Sequence, residues 1–221
     1  MIYLIESLKL KTATPRQLET WIALAKDQMI PLYQEYGARL MAAWICNADT
    51  MFQVTQVFEF DRPESYWNLN SSPMESKDGL RLEAELDSVT PERTRQLFET
   101  PGAAFSKSFH DAIAESQHNE SFQKYSVAIL EVVHDQMPEL LKRNEEAIAI
   151  GMPLVTTLKS VTGRQNQVVN IWKGDFNAPG YQPPEYFDAI GFTEEWWNWV
   201  RSVAPQERLL TVSMLPYAPL Q

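Results

Sequence analysis

Glu6 is the side chain in this sequence best placed for chemistry. It stands in Ile2–Leu10, a run otherwise dominated by apolar residues. A carboxylate among apolar neighbours loses hydration, its pKa rises, and it can act as a general base. Glu131 holds a comparable place in a second apolar run, Tyr125–Val133. The plainer reading of both is a strand-end carboxylate paired with Lys or Arg. His110 and His118 lie in a polar stretch, and His134 opens a helical pattern. They lack the i, i+4 spacing of a helical ligand pair, so no metal site is expected. His110 stays a candidate base by itself. Tyr3, Trp44, Tyr125 and Trp172 are candidate aromatic walls of a pocket, and Gln53 and Gln56 could orient a ligand there. Trp196, Trp197 and Trp199 share one short helical segment, where packing is a simpler reading than an aromatic ligand box.

Composition removes several classes. The net charge of -10 opposes nucleic-acid binding and attraction to anionic membranes. No basic apolar leader opens the sequence and no apolar run reaches about 18 residues, so a soluble, cytoplasmic protein is expected. Cys46 is the only cysteine, which excludes an internal disulfide and suits a small buried hydrophobe. G-x-G-x-x-G, G-x-x-x-x-G-K-[ST], G-x-S-x-G and H-E-x-x-H are all missing. No nucleotide or metal cofactor is expected.

The elements that must position these residues follow from periodicity. Ile2–Leu10 reads as a strand. Thr14-Pro15 is a helix start, and apolar residues from Leu18 to Tyr36 recur at helical spacing. Pro31 should kink or divide that helix, and Gly37 suits its C-cap. Leu40–Cys46 and Met51–Phe60 form a hairpin about the Asn47-Ala48-Asp49 turn. Asp61–Ser72 is loop or short helix, Glu75–Ser88 a helix, and Thr94–Phe98 a strand. Tyr125–Val133 starts the same order again. A helix over 134–150 ends at Gly151, a hairpin joins Leu154–Val161 to Gln167–Trp172, and Asp175–Tyr186 is a loop that could act as a lid. Thr193 caps a helix over Glu194–Val203, and Arg208–Leu215 is the last strand. A polar link over 107–122, with a short helix near Asp111–Ser116, joins the halves.

The two halves repeat each other. Shifted by 114 positions, Gly37–Pro91 falls on Gly151–Pro205 without a gap. Gln53-Val54 meets Gln167-Val168, Phe58 meets Trp172, and Ser88-Val89 meets Ser202-Val203. The reading is a first repeat over 1–106 and a second over 123–221.

β-α-β-β-α-β is the ferredoxin-like pattern. The opening Ile2-Tyr3-Leu4-Ile5-Glu6, the hairpin from Trp44 to Phe60 and the tandem order together resemble NIPSNAP-domain proteins, within the dimeric α/β-barrel superfamily that includes the antibiotic-biosynthesis-monooxygenase type. Where many members open Tyr-Glu-Leu-Arg, Leu4 and Glu6 stand in place of the Glu and Arg. The resemblance implies an α+β fold of two tandem repeats whose antiparallel sheets pair into an α/β barrel. It also implies a small-molecule enzyme working on a hydrophobic or aromatic substrate in an apolar cavity by acid/base chemistry: a lyase, an isomerase or a cofactor-free monooxygenase. A non-catalytic ligand-binding or interaction protein and a haem-binding enzyme are the alternatives, and assembly into a homo-oligomer stays open. Because the halves have diverged, one site is expected, in one of two equivalent positions.

Overall fold

The computed structural model describes residues 1–46, 53–71, 76–116, 124–174 and 184–221. The turn expected at Asn47–Asp49, His118 and most of the Asp175–Tyr186 loop lie outside them. The chain divides into two compact units, one made of Met1–Phe98 with Ser213–Gln221, the other of Glu99–Val212.

The first unit contains β1 (Ile2–Lys9), α1 (Pro15–Leu24), α2 (Ile30–Glu35), β2 (Ala38–Cys46), β3 (Gln53–Phe60), α3 (Pro63–Ser71), α4 (Lys77–Val89) and β4 (Glu92–Glu99, whose last residue falls in the second unit). Thr14 caps α1 by accepting from the Gln17 amide, and Pro15 takes the first turn, where its missing N–H costs nothing. The helix divides at Pro31. Pro31 cannot donate to the preceding turn, and a wide π turn over Ala25–Met29 takes up the mismatch before α2 resumes. Antiparallel strands run in the order β4-β1-β3-β2. Leu4, Leu8 and Phe58 on one face pack against Trp21, Met29, Tyr33, Leu82 and Leu86. The helices bury apolar stripes that would otherwise meet water.

The second unit holds α5 (Ala103–Ser116), β5 (Tyr125–Glu131), a 3₁₀ turn (His134–Gln136), α6 (Met137–Ala149), β6 (Leu154–Ser160), β7 (Gln167–Lys173), α7 (Pro184–Ala189), α8 (Glu194–Val203) and β8 (Gln206–Met214). Its order, β8-β5-β7-β6, matches the first. Each unit is therefore a ferredoxin-like β-α-β-β-α-β element. A β-bulge falls between Leu40 and Ala42 in β2 and, 114 residues on, between Leu154 and Thr156 in β6. Helix α5 is longer than the short helix expected, because Phe105, Phe109, Ala112 and Ser116 form one buried stripe.

The closing segments are exchanged. β8 pairs with β5 over most of its length, but its final residues Ser213 and Met214 pair with Ile45 and Trp44 of β2. The chain then follows β2, with the Leu215 and Leu220 amides donating to the Ala43 and Met41 carbonyls. β4 of the first unit likewise leads into α5, which packs on β6 of the second and accepts a hydrogen bond from Thr156 at the Phe105 carbonyl.

Gly37 and Gly151, equivalent in the repeat, both end a helix with positive φ, 80° and 82°. A Cβ at Gly151 would meet no atom within 4 Å, so substitution there isolates the backbone cost. Gly151→Ala is expected to lower unfolding free energy by roughly 1–2 kcal/mol, the penalty of a left-handed L-residue. Urea denaturation with an unchanged m-value checks it.

Candidate functional site

Alternation along β1 puts Leu4, Glu6 and Leu8 on the helix-covered face. Glu6 is completely buried there. Its Oε1 accepts from Arg95 Nε at 2.7 Å and from the Tyr33 hydroxyl at 3.3 Å, while Oε2 has no partner. Arg95 Nη2 also donates to the Tyr33 hydroxyl at 2.6 Å. Burial raises the Tyr33 pKa, and the Glu6 carboxylate raises it further. Burial works against the Arg95 charge, yet its pKa is raised, because Glu6 and Tyr33 more than offset that effect. Directly across the strand pair, buried Gln56 donates to the Tyr217 hydroxyl at 2.6 Å, which also accepts from Trp21 Nε1 at 3.1 Å. Glu6 thus belongs to a buried polar network that ties β1, α2 and β4 together.

The opposite face of the same sheet carries Tyr3, Trp44, Gln53 and Glu59. Tyr3 donates to Glu59 Oε1 at 2.6 Å, and Arg39 holds Glu59 Oε2 through Nε and Nη2 at 3.2 and 2.7 Å. Trp44 is buried and pairs with Thr55. Gln53, at the start of β3, is half-buried.

The second unit is built differently at the equivalent place. Gln56 corresponds to Asn170, and the residue opposite Asn170 is Ala128. Ala128 therefore stands where Glu6 stands in the first unit, and Glu131 does not. Glu131 pairs with Gln167, forms an ion pair with Arg164, and lies on the face away from Ala128 and Leu130. With no carboxylate or guanidinium at this position, a pocket remains between the sheet, α6 and α8. Its lining includes Ala128, Asn144, Asn170, Trp172, Phe192, Trp196, Trp197 and Glu207. The closed volume of this cavity is small, about 20 Å³.

Aromatic contacts form the walls. Phe192 meets Trp172 edge-on at 4.9 Å and stacks on Trp197 at 5.4 Å, and Trp196 lies 5.3 Å from Trp199. Arg143 sits 4.3 Å above the Trp199 ring, a cation–π contact that ties α6 to α8. Thr193 caps α8 by accepting from the Trp196 amide. The floor is polar. Asn144 is fully buried, and its Nδ2 donates to Thr157 Oγ1 at 3.0 Å and Asn170 Oδ1 at 3.2 Å. Thr157 Oγ1 donates to the same Asn170 oxygen at 2.8 Å. Asn144 Oδ1 has no partner. Leaving such a carbonyl unpaired costs about 1–3 kcal/mol. At the rim stands Glu207, exposed as a residue but with its carboxyl partly covered. Burial raises its carboxyl pKa, opposed by the attraction of Arg201.

Sequence reasoning missed Asn144, Thr157, Asn170 and Glu207. One signal was present: Asn144 interrupts the apolar stripe Leu140, Asn144, Ala147 of α6. Of the sequence candidates, Trp172 lines this pocket. Tyr125 is buried on β5, its hydroxyl pushed up to about 12 by burial and then by Glu115. His110 is exposed on α5, and His134 is exposed in the 3₁₀ turn. Among the described residues no group of three or more His, Cys, Asp or Glu could hold a metal, and no helix is long and apolar enough to cross a membrane.

No family model matches the sequence, and no curated protein matches it. Solved structures do. A protein provisionally described as a monooxygenase, from Lactobacillus acidophilus NCFM, aligns over 96% of this chain and 93% of its own at 9% identity, with a TM-score of 0.59. Another so described, from Fusobacterium nucleatum subsp. nucleatum, aligns over 97% and 92% at 7% identity, with a TM-score of 0.61. An anthrone oxidase-like protein aligns over 97% and 91% at 11% identity, with a TM-score of 0.57. At these identities the likeness is one of fold: the chain has a tandem ferredoxin-like fold.

Removing one partner of the buried Glu6–Arg95 pair strands the other. Arg95→Leu and Glu6→Leu are each expected to cost about 3–5 kcal/mol, and the Glu6→Leu/Arg95→Leu double variant to recover most of it. Chemical denaturation of the three variants measures this; additive losses would refute the pairing.

Proposed function

We propose that the protein is a small-molecule enzyme whose substrate, a hydrophobic aromatic compound, sits in the second-unit pocket while Glu207 transfers a proton at its rim. One observation carries the reading: an aromatic-walled cleft with a buried amide oxygen at its floor and a carboxyl group at its mouth. Apolar walls with a few convergent polar groups are the usual composition of a ligand site. A cavity of about 20 Å³ is far below the roughly 150 Å³ that admits benzene, so a ring enters by displacing a wall. Trp196 and Trp197 are only half-buried and are the walls free to move.

The chemistry needs a base whose pKa lies nearer to neutrality than an ordinary carboxylate's, and the direction of the Glu207 shift suits that need. The likeness in fold to an anthrone oxidase-like protein and to proteins described as monooxygenases suggests oxygen as the second substrate. For anthrone, Glu207 removes an acidic ring C–H proton. The carbanion is oxidised by dioxygen, forming a C–O bond, and the O–O bond breaks with loss of water. One anthrone and one dioxygen give one anthraquinone and one water. Glu6, closed in by Arg95 and Tyr33, has no part in this scheme.

Anthrone is the first probe, with oxygen uptake and anthraquinone absorbance as readouts. Glu207→Gln is expected to lower kcat about 10²-fold or more and to leave anthrone affinity within a few-fold. The wild-type rate should rise with pH through a pKa above the ordinary carboxylate range. Anthrone binding without turnover in both proteins would instead make the pocket a non-catalytic binding site.

Stability gives an independent check on the Glu207 environment. A carboxyl whose folded pKa is raised contributes stability below its unfolded pKa and loses it as pH rises through the folded one. Glu207→Gln should therefore be more stable than wild type at neutral pH, and that advantage should disappear near pH 3. A thermal-melt series across pH reads the crossover.

A further inference from the structure

The floor of the pocket selects for one kind of ligand atom. Both Asn144 Nδ2 protons are committed, one to Thr157 Oγ1 and one to Asn170 Oδ1. The Thr157 hydroxyl proton is committed to Asn170 as well. Reversing the Asn144 amide alone would point its oxygen at the Asn170 oxygen, and its contact with Thr157 would then need that hydroxyl turned away from Asn170. In the arrangement the structure shows, Asn144 Oδ1 is left as an acceptor on a fully buried side chain that lines the pocket. Acceptors of this kind are matched by a donor, and a ligand that supplies one is favoured over an analogue that lacks it.

The first unit shows what an amide at this repeat position can hold. Gln56, the counterpart of Asn170, holds a phenol there: its amide nitrogen donates to the Tyr217 hydroxyl oxygen, which also accepts from the Trp21 indole N–H. The second unit sets amide side chains beside the indoles of Trp196 and Trp197.

We infer that Asn144 is a specificity-determining residue and that the ligand is a hydroxyaryl compound whose O–H donates to Asn144 Oδ1, with Thr157 as the residue that holds the amide in place. The inference rests on the second-unit pocket being the ligand site.

Phenol and anisole, which differ by one O-methyl group, are the probes, titrated calorimetrically into the full chain. Wild type is expected to bind phenol roughly tenfold or more tighter than anisole. Asn144→Leu removes the acceptor and should abolish the preference. Thr157→Val, nearly the same shape and so the safer fold, lets the amide turn and should narrow the ratio toward one. Equal affinity of wild type for both probes would overturn the hydroxyl inference while leaving the pocket in place. A tenfold preference that survives in Thr157→Val would overturn the role given to Thr157. Binding of neither probe would overturn both this inference and the reading of the pocket on which it rests.

Discussion

A polar side chain on the helix-covered face of a sheet must find its hydrogen bonds inside that layer, because water does not reach it. Both units of this protein place such side chains at corresponding positions and answer the demand differently. In the first, Glu6 draws in Arg95 and Tyr33, and Gln56 draws in Tyr217. Large charged side chains fill the layer. In the second, Ala128 and Asn170 take the place of Glu6 and Gln56, and the hydrogen bonds close among Asn144, Thr157 and Asn170 with one oxygen left over. The layer stays open where the first is filled. The difference between a scaffold and a candidate site thus reduces to a few side chains on matched strands.

The architecture was legible because periodicity and the internal repeat are local properties. Thr14-Pro15, Pro31, Gly37 and Thr193 each mark a backbone event that the structure shows at that residue. Helix α5 was underestimated because its buried stripe carries Ser116 and its exposed faces are polar. The surroundings of individual side chains were far less legible. Glu6 looked exceptional in its strand, but the arginine that meets it lies 89 residues further along the chain. Asn144 left a trace, an amide in an apolar helical stripe. Its partners Thr157 and Asn170 come from two strands, β6 and β7, and nothing in the one-dimensional pattern joins the three. Glu131 resembles Glu6 as a carboxylate in an apolar run, whereas hydrogen-bond register gives that place to Ala128.

The tryptophans of α8 show how one set of residues can serve packing and a pocket together. Trp199 is held under Arg143, while Trp196 and Trp197 face Phe192 and the cleft. The same helix supplies Val200 and Val203 to the buried layer. Packing anchors one side of the helix, and its indoles are half-buried at the other.

The exchange of closing segments has a consequence for how the protein is made. The first unit counts the last nine residues of the chain among its own. Trp21 and Gln56 receive their shared partner, the Tyr217 hydroxyl, only after the whole second unit has been made. Until then the edge of β2, from Met41 to Ile45, lacks the segment that pairs with it in the finished protein. The half synthesised first is the half finished last, and a bare strand edge is the feature through which nascent chains join one another. A ribosome paused over the second unit would leave that edge waiting, so the C-terminal residues protect the N-terminal ones.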